Sequence, residues 1–489
     1  MLAGVACKPK EASYWEPGVA YATPTAPVYR GYRDLRGLIH SHNIHSWDAC
    51  DEKPLVDGKL NQPCYQDFRG DLCQAQLDFD FLSDHTSNFN TTEFPNNQPA
   101  GSEEMDNTLL YTPSLGDKLI ERGGLPVANN VEKSCGDGRQ HLLMAGSEGD
   151  NLLTAGLESH AAPADATGEA RDNLYDTHTD QGTFPANVPE ITTAIDTMHQ
   201  HGAVVFVAHP EGLTEDQLAT YPLDGFEMYN MHANALFTNY GLTAVLNLVA
   251  NSVPGGDLSQ TPDNCNLAFL AIVNEDPRYL ARWAYSASQG KKRTMIMGSD
   301  IHENALPNLF LKSMKPTWDG MRGDRYQRVM RWFSNHLLVT PNADGSWDDS
   351  NLKKTLLAGR VYGVFEALGY PVGFDYHATT AAGTVVEMGD DVQLSDQPAL
   401  SVKLPTIENL NPARTPPVFT VRILVASGDT WTEVAKGSGD LAFTPTMPGT
   451  YRAEIREVPW HLQQEMGPVA KQYLSHDYVW IYSNSIYVH

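Results

Sequence analysis

Short apolar runs that stop on a histidine or a carboxylate recur along this chain, and they constrain it more than any other feature. The first is Leu38-Ile39, running into His40-Ser41-His42. In an extended strand, residues i and i+2 project to the same face. Two imidazoles side by side are a poor choice for a core and a good one for a metal ion, because imidazole nitrogen suits zinc, iron and manganese. A lone His-x-His also fits a surface strand with chance histidines, so the repetition has to decide. Leu77-Asp-Phe-Asp-Phe-Leu-Ser alternates as a strand does and ends in Asp84-His85. His141-Leu-Leu-Met-Ala-Gly-Ser ends in Glu148, and the stretch after it ends in His160. Ala203-Val-Val-Phe-Val-Ala ends in His209, and Arg293-Thr-Met-Ile-Met-Gly-Ser ends in Asp300-Ile-His302.

Charge and cysteines narrow the partners. The 34 basic and 60 acidic residues leave a net charge of −26, which argues against a nucleic-acid partner and against docking on anionic lipid. An anionic substrate would need that charge offset locally, as bound metal ions would do. No apolar run reaches the length of about twenty residues that a transmembrane helix needs. Met1-Leu-Ala-Gly-Val-Ala-Cys7 places small residues before a cysteine, like the end of a bacterial lipoprotein signal, but lacks the basic start and most of the apolar segment. Cys7 is therefore a candidate lipid anchor, with a free cysteine as the alternative. The expected location is the cell envelope or the exterior, ahead of the cytoplasm. Cys50, Cys64, Cys73, Cys135 and Cys265 show no Cys-x-x-Cys spacing, which argues against a zinc knuckle. A disulfide of Cys64 with Cys73 or with Cys50 would suit an exported protein. Five is odd, so at least one stays free.

Read in order, residues 1–30 are an export remnant and linker, rich in Pro, Ala, Tyr and Thr. Residues 31–372 alternate short apolar strands with helical spacing, as over Pro189–His201, where Ile191, Ile195 and Met198 share a face before the stop at Gly202. Further helical segments fall near 65–76, 234–251 and 276–290, and residues 348–369, with Leu352, Leu356 and Leu357 before Arg360-Val-Tyr-Gly-Val-Phe, read as a helix and strand closing this part. Loop-like insertions fall at 86–140 and 161–188. Alternating helices and strands, with ligand-type residues at strand ends, predict a (β/α) barrel with its chemistry on the C-terminal rim. From 373 to 489 helical spacing vanishes. Strand-like runs such as Val418–Val425 and Tyr478–Tyr482, separated by turns, predict a β-sandwich-like domain. No catalytic cluster is visible there.

These strand-end motifs resemble the PHP family, named for polymerase and histidinol phosphatase. The motifs carrying the resemblance are His40-Ser-His42, Ser83-Asp84-His85, Gly146-Ser-Glu148, His160, Ala208-His209-Pro210 and Gly298-Ser-Asp300-Ile-His302, in that order. The likeness covers roughly residues 35–370. The C-terminal part is similar to the region after the barrel in a bacterial, often exported, branch. An amidohydrolase barrel also opens with His-x-His, but normally ends in a single catalytic Asp. The resemblance implies a distorted (β/α)7 barrel, two or three divalent ions (Zn, Mn or Fe), and phosphoester hydrolysis. It implies His40, His42, His85, Glu148, His209, Asp300 and His302 as metal ligands. Two more positions depart from the family pattern. Asp48 stands where an Asp is expected, one residue late and followed by Ala49, and His45 is its alternative. His160 stands for the histidine after the Glu, with His141 as its alternative. His178, His199, His201 and His232 are read as ordinary surface or core histidines.

Clustered ions sharing a water would bring its pKa from about 15.7 towards 7. His209 would then serve catalysis as a ligand, and Asp84 as a proton relay or as a plain hydrogen-bond partner of the site. The expected activity is a metal-dependent phosphoesterase acting on a small-molecule phosphoester. A carboxylic ester, carbamate or amide hydrolase is the second expectation, and a non-catalytic envelope binding protein the third.

Overall fold

The computed structural model describes residues 29–85, 109–159, 161, 188–237, 259–303 and 322–489, apart from positions 47, 58, 150, 260, 268, 269 and 274. It is a mixed α/β protein built on one large mixed sheet of 17 strands with smaller antiparallel sheets beside it. The opening strand, Arg33–Ser41, lies at the centre of the parallel part. On one side Gly37, Leu38 and Ile39 pair with Phe79, Asp80 and Phe81, which pair in turn with Leu142, Leu143 and Met144. On the other side Ile39 pairs with Gly298 of Thr294–Ile301. That strand is parallel to Gly225–Asn230, whose first residues are parallel to Phe206 and Val207.

The apolar runs form strands because both of their faces find a core. Val204 and Phe206 turn inwards, sharing a core with Ile39, Phe81, Met144 and Ile296. Val205 and Val207 turn outwards, into a second core shared with Ile195 and Met198 of the helix Val188–Gln200. Phe206 is fully buried, so truncating it to alanine should cost about 3–5 kcal/mol. The helices begin where the sequence provides caps. Asn61 accepts from the Cys64 amide before Gln62–Gln74, and Asp276 accepts from the Arg278 amide before Pro277–Ser288, in each case with proline in the first turn.

Four details depart from the sequence reading. The stretch 86–140 is not all loop: Lys118–Arg122 and Leu125–Asn130 form a hairpin that joins the sheet at Leu142 and Leu143. His141–Glu148 is two strands, Leu142–Met144 and Gly146–Gly149, the second turning back onto Leu152–Ala155. Ser334–Val339 is an additional strand, antiparallel to Arg33–Gly37. The helix read near 234–251 is seen as Met231–Phe237; residues 238–251 and 162–187 lie outside the described residues.

Beyond 373 the chain is mostly strand, as its texture predicts. Asp375–Thr379, Val385–Glu387, Ala399–Lys403 and Leu441–Phe443 form a four-stranded antiparallel sheet. Val418–Ser427, Thr430–Gly437, Gly449–Val458 and Tyr478–Val488 belong to the large sheet. The last of these pairs with Val361–Val364, so the sheet runs on from the parallel part into the C-terminal part. Among the described residues no helix is long and apolar enough to cross a membrane. Cys50 is bonded to Cys64 and Cys73 to Cys135, while Cys265 is buried and belongs to neither disulfide.

Candidate metal centre

The strand ends converge. The opening strand breaks register between Ile39 and Ser41 against both neighbours, and His40 takes a φ of 70°. His209 and Asp300 share this left-handed conformation, at φ of 50° and 49°. A non-glycine residue there is strained by about 1–3 kcal/mol, and such strain clusters at functional sites. The turn at His40 means that the simple i, i+2 geometry of a flat strand does not apply. The chain bends so that Nε2 of both His40 and His42 reaches Oε2 of Glu148, at 3.1 and 3.3 Å.

Two groups of potential ligands result, the ligand atoms within each lying no more than 4.8 Å apart: His40, Glu148, His209 and Asp300, and His42, Asp48, His85 and His302. Asp300 Oδ2 lies 3.0 Å from His209 Nε2, and Asp48 Oδ2 lies 3.0 Å from His302 Nε2 and 3.2 Å from His85 Nε2. Tyr326 ties two ligand segments together, its hydroxyl donating to the main-chain oxygens of His42 and His302 at 2.9 and 3.2 Å.

The hydrogen bonds on the far side of each ring say what the near side does. His40 Nδ1 is 2.6 Å from Glu227 Oε1. His42 Nδ1 is 3.1 Å from Ser46 Oγ, whose own hydrogen goes to Asp48 Oδ1 at 2.8 Å. His302 Nδ1 is 2.9 Å from the main-chain oxygen of Asp300. In the neutral rings Nδ1 is thus the donor, and Nε2 presents a lone pair to carboxylate oxygens. The Nε2 atoms of His40, His42 and His302 are buried without a hydrogen-bond partner among the described residues. Buried acceptors facing acceptors are costly unless a cation lies between them. The mixed imidazole and carboxylate set suits zinc, manganese or iron.

The electrostatics agree. Burial alone would lower the pKa of His40, but Glu148, Asp300 and Glu227 outweigh it and lift the pKa well above the usual range. Burial is likewise outweighed at His209, chiefly by Asp300, and at His42, which rises to about 9. Burial would raise Glu148, Asp300 and Asp48, yet the surrounding imidazoles hold all three well below the ordinary carboxylate range. His302 is the exception: burial and the neighbouring His42 push it down to about 4 despite Asp48. A pocket of this kind favours positive charge, which protons and metal ions compete to supply.

Of the expected ligands, His40, His42, Asp48, His85, Glu148, His209, Asp300 and His302 come together; His160 lies outside the described residues. His45, the alternative to Asp48, belongs to neither group. His141, the alternative to His160, is occupied at the start of its strand, with Nδ1 2.5 Å from the Leu77 oxygen and Nε2 3.0 Å from Asp137. Asp84 directs both oxygens at Asn43, accepting from its amide at 2.8 Å and its side chain at 2.6 Å, and burial lifts its pKa to about 6.

Three residues escaped the sequence reading. His232, taken for an ordinary histidine, has Nδ1 3.1 Å from Asp300 Oδ2, and its ring stacks on His302. With Asp300 and His302 it makes a third potential ligand group. Glu227 is fully buried behind His40 and also accepts from the His209 amide at 2.9 Å and from Asn230 Nδ2 at 3.0 Å. A charged residue inside the otherwise uncharged, wholly buried strand Gly225–Asn230 was the available signal. Glu211 lies 3.4 Å from His209 Nδ1 and accepts from the Tyr279 hydroxyl; its place directly after His209-Pro210 gave no signal of its own.

No family model matches the chain, and no curated protein matches it. A solved structure from Bacteroides vulgatus ATCC 8482, a two-domain protein containing a predicted PHP-like metal-dependent phosphoesterase, is distantly similar. It is 13% identical, with a TM-score of 0.32, over 94% of this chain and 97% of its own.

Proposed function

We propose that this chain is a metal-dependent hydrolase of the PHP type, acting as a phosphoesterase on a small anionic substrate. The observation that carries this reading is the set of buried imidazole Nε2 atoms turned onto Glu148, Asp300 and Asp48 with their Nδ1 atoms tied behind. His40, Glu148, His209 and Asp300 would hold one divalent ion, and His42, Asp48, His85 and His302 a second. His232 borders a third position shared with Asp300 and His302. Zinc, manganese or iron held there supplies a Lewis acid for a phosphoryl oxygen and makes a water molecule acidic enough to attack near neutral pH.

The chain's own residues set the geometry. Glu148 lies between the two groups, within 3.3 Å of both His40 and His42. Asp300 divides its oxygens, Oδ1 towards His40 and His42 and Oδ2 towards His209 and His232. Asp84, holding Asn43 through both oxygens, fixes the loop from His42 to Asp48. In this reading the parallel strands close into a distorted (β/α)7 barrel over about 31–372, followed by a β-sandwich-like domain. The parallel bridge between His85 and Glu148 supports closure. The disulfides support an exported protein, since such bonds persist in oxidising compartments.

The test is metal analysis of the purified protein, with a panel of phosphate, carboxylate and carbamate esters assayed after chelation and after return of Zn2+, Mn2+ or Fe2+. Metal-dependent phosphoester cleavage is expected. Cleavage of carbonyl esters alone would move the reading to the second hydrolase class, and metal-replete protein inert to the whole panel would leave a binding protein.

A further inference from the structure

The two ligand groups are not equivalent. Counting Glu148 with both, each holds two carboxylates, so the ligands' formal charge does not separate them. What stands behind the imidazoles does. In the first group His40 is backed by Glu227 at 2.6 Å and His209 by Glu211 at 3.4 Å. In the second, the nearest acceptors are neutral: the Ser46 hydroxyl for His42, the Glu148 main-chain oxygen at 3.4 Å for His85 and, at 2.9 Å, the Asp300 main-chain oxygen for His302, whose Nδ1 has the Asp300 carboxylate farther off at 3.5 Å. The short carboxylate contact of Glu227 with His40 therefore has no counterpart in the second group. A carboxylate behind an imidazole makes it a more basic ligand and fixes its tautomer. Exposure separates the carboxylates and not the imidazoles, since His42 and His302 of the second group are as buried as His40, at 0% and 3%. The side chains of His85 and Asp48 are 27% and 15% exposed, whereas His40, Glu148 and Asp300 are 0%, 7% and 2% exposed. His209, at 24%, is the open corner of the first group.

Glu227 is built into this arrangement. Three donors converge on it, from His40, the His209 main chain and Asn230. A side chain at position 298 would collide with it, because a Cβ there would lie 1.7 Å from its Oε1. Position 298 is glycine, and the space belongs to the carboxylate.

We infer that the His40–Glu148–His209–Asp300 group is the tight, resident ion position, that the His42–Asp48–His85–His302 group is the weaker, exchangeable one, and that Glu227 is the positioning residue that sets the difference. This rests on reading the site as a metal centre.

The test is titration of the chelator-stripped full chain with Zn2+ against a chromophoric chelator, which reads affinity without reference to activity. Wild type should bind in two separable steps. Glu227→Gln keeps the shape of the side chain and removes its charge. It should weaken the first step about 10–100-fold and leave the second within about threefold. Ser46→Ala should do the reverse. A purely packing role for Glu227 would leave both steps of E227Q as in wild type. If E227Q does not fold by circular dichroism, Glu211→Gln, on the turn beside His209, decides by the same criterion. Two equal steps in wild type, or an unchanged first step in both variants, would overturn the inference while leaving the metal centre intact. Absence of any Zn2+ binding would overturn the metal centre as well.

Discussion

The side-chain amide of Asn484 holds both main-chain groups of Met295: its Oδ1 accepts from the Met295 amide at 2.8 Å, and its Nδ2 donates to the Met295 oxygen at 2.9 Å. Nδ2 also donates to the Val361 oxygen at 2.8 Å. Asn484 is in the last strand of the chain, and Met295 is in the strand that ends in Asp300. The amide thus fastens the last strand of the chain to the strand that carries the candidate ligand Asp300. Asn484→Ala strips partners from buried main-chain groups, each worth about 1–3 kcal/mol when left unsatisfied. A loss of about 2–4 kcal/mol in urea unfolding is expected. An unchanged urea midpoint would show that this amide is incidental.

Gly298 gives a sharper test of the site. Alanine there brings Cβ onto the Glu227 carboxylate, and Glu227 cannot retreat without leaving His40. Gly298→Ala should lose about 1–3 kcal/mol through overpacking and should also lower metal content. A control such as Gly70→Ala, where nothing lies within 4 Å of the added carbon, should leave metal content alone. Full metal content in G298A would contradict the link between Glu227 and the centre.

The strand Ser334–Val339, antiparallel to the opening strand, carries a titrating group opposite Arg36. His336 is fully buried, 2.9 Å from Asp34 and 3.5 Å from Glu366. Burial would lower its pKa, but the two carboxylates outweigh burial and lift it from 6.5 to about 9. The folded chain therefore holds this proton more tightly than the unfolded chain. The resulting stability is complete below about pH 6.5 and is lost as pH climbs through about 9. At 1.36 kcal/mol per pKa unit it amounts to about 3 kcal/mol at most. The urea midpoint of wild type should fall between pH 6.5 and 9 more steeply than that of His336→Asn. Parallel profiles would exclude His336 as the source.

How far the sequence revealed this site follows from where each residue sits. His40, Glu148, His209 and Asp300 were legible because each ends an apolar run, and apolar runs mark buried strands. Glu227 was not, because its meaning depends on His40, 187 positions away, and on the missing side chain at 298. The bend at His40 is a tertiary effect, a register break against two neighbouring strands that the local sequence does not encode. The hairpin at 118–130 does carry a local signal, Gly123-Gly124 between two short strand-like runs. The Cys73–Cys135 bond spans 62 positions, and spacing alone does not reveal connectivity.

The Cys50–Cys64 disulfide stands next to the second ligand group, and its removal should be felt there. Cys50 follows Asp48 by two residues, and its amide donates to the main-chain oxygen of His302 at 2.9 Å. The Ala49 amide returns to the Ser46 oxygen, and Ser46 holds both His42 and Asp48. The bond across 14 positions thus closes a loop that starts two residues after Asp48 and anchors the chain on which Asp48 is held. A loop of this size stabilises by about 3 kcal/mol in the chain-entropy account. The double variant Cys50→Ser, Cys64→Ser should lose stability of that order and should weaken the second Zn2+ step, because Asp48 and the Cys50 contact to His302 both loosen. The first step should hold, since His40, Glu148, His209 and Asp300 lie on other segments. Cys73→Ser with Cys135→Ser is the matched control: it removes a disulfide that joins the end of helix Gln62–Gln74 to the turn Glu132–Cys135, neither of which carries a ligand. If the candidate ligand groups are as proposed, it should cost stability and leave both Zn2+ steps unchanged. Equal changes in metal affinity from the two double variants would show that the effect is global loosening rather than the position of Asp48.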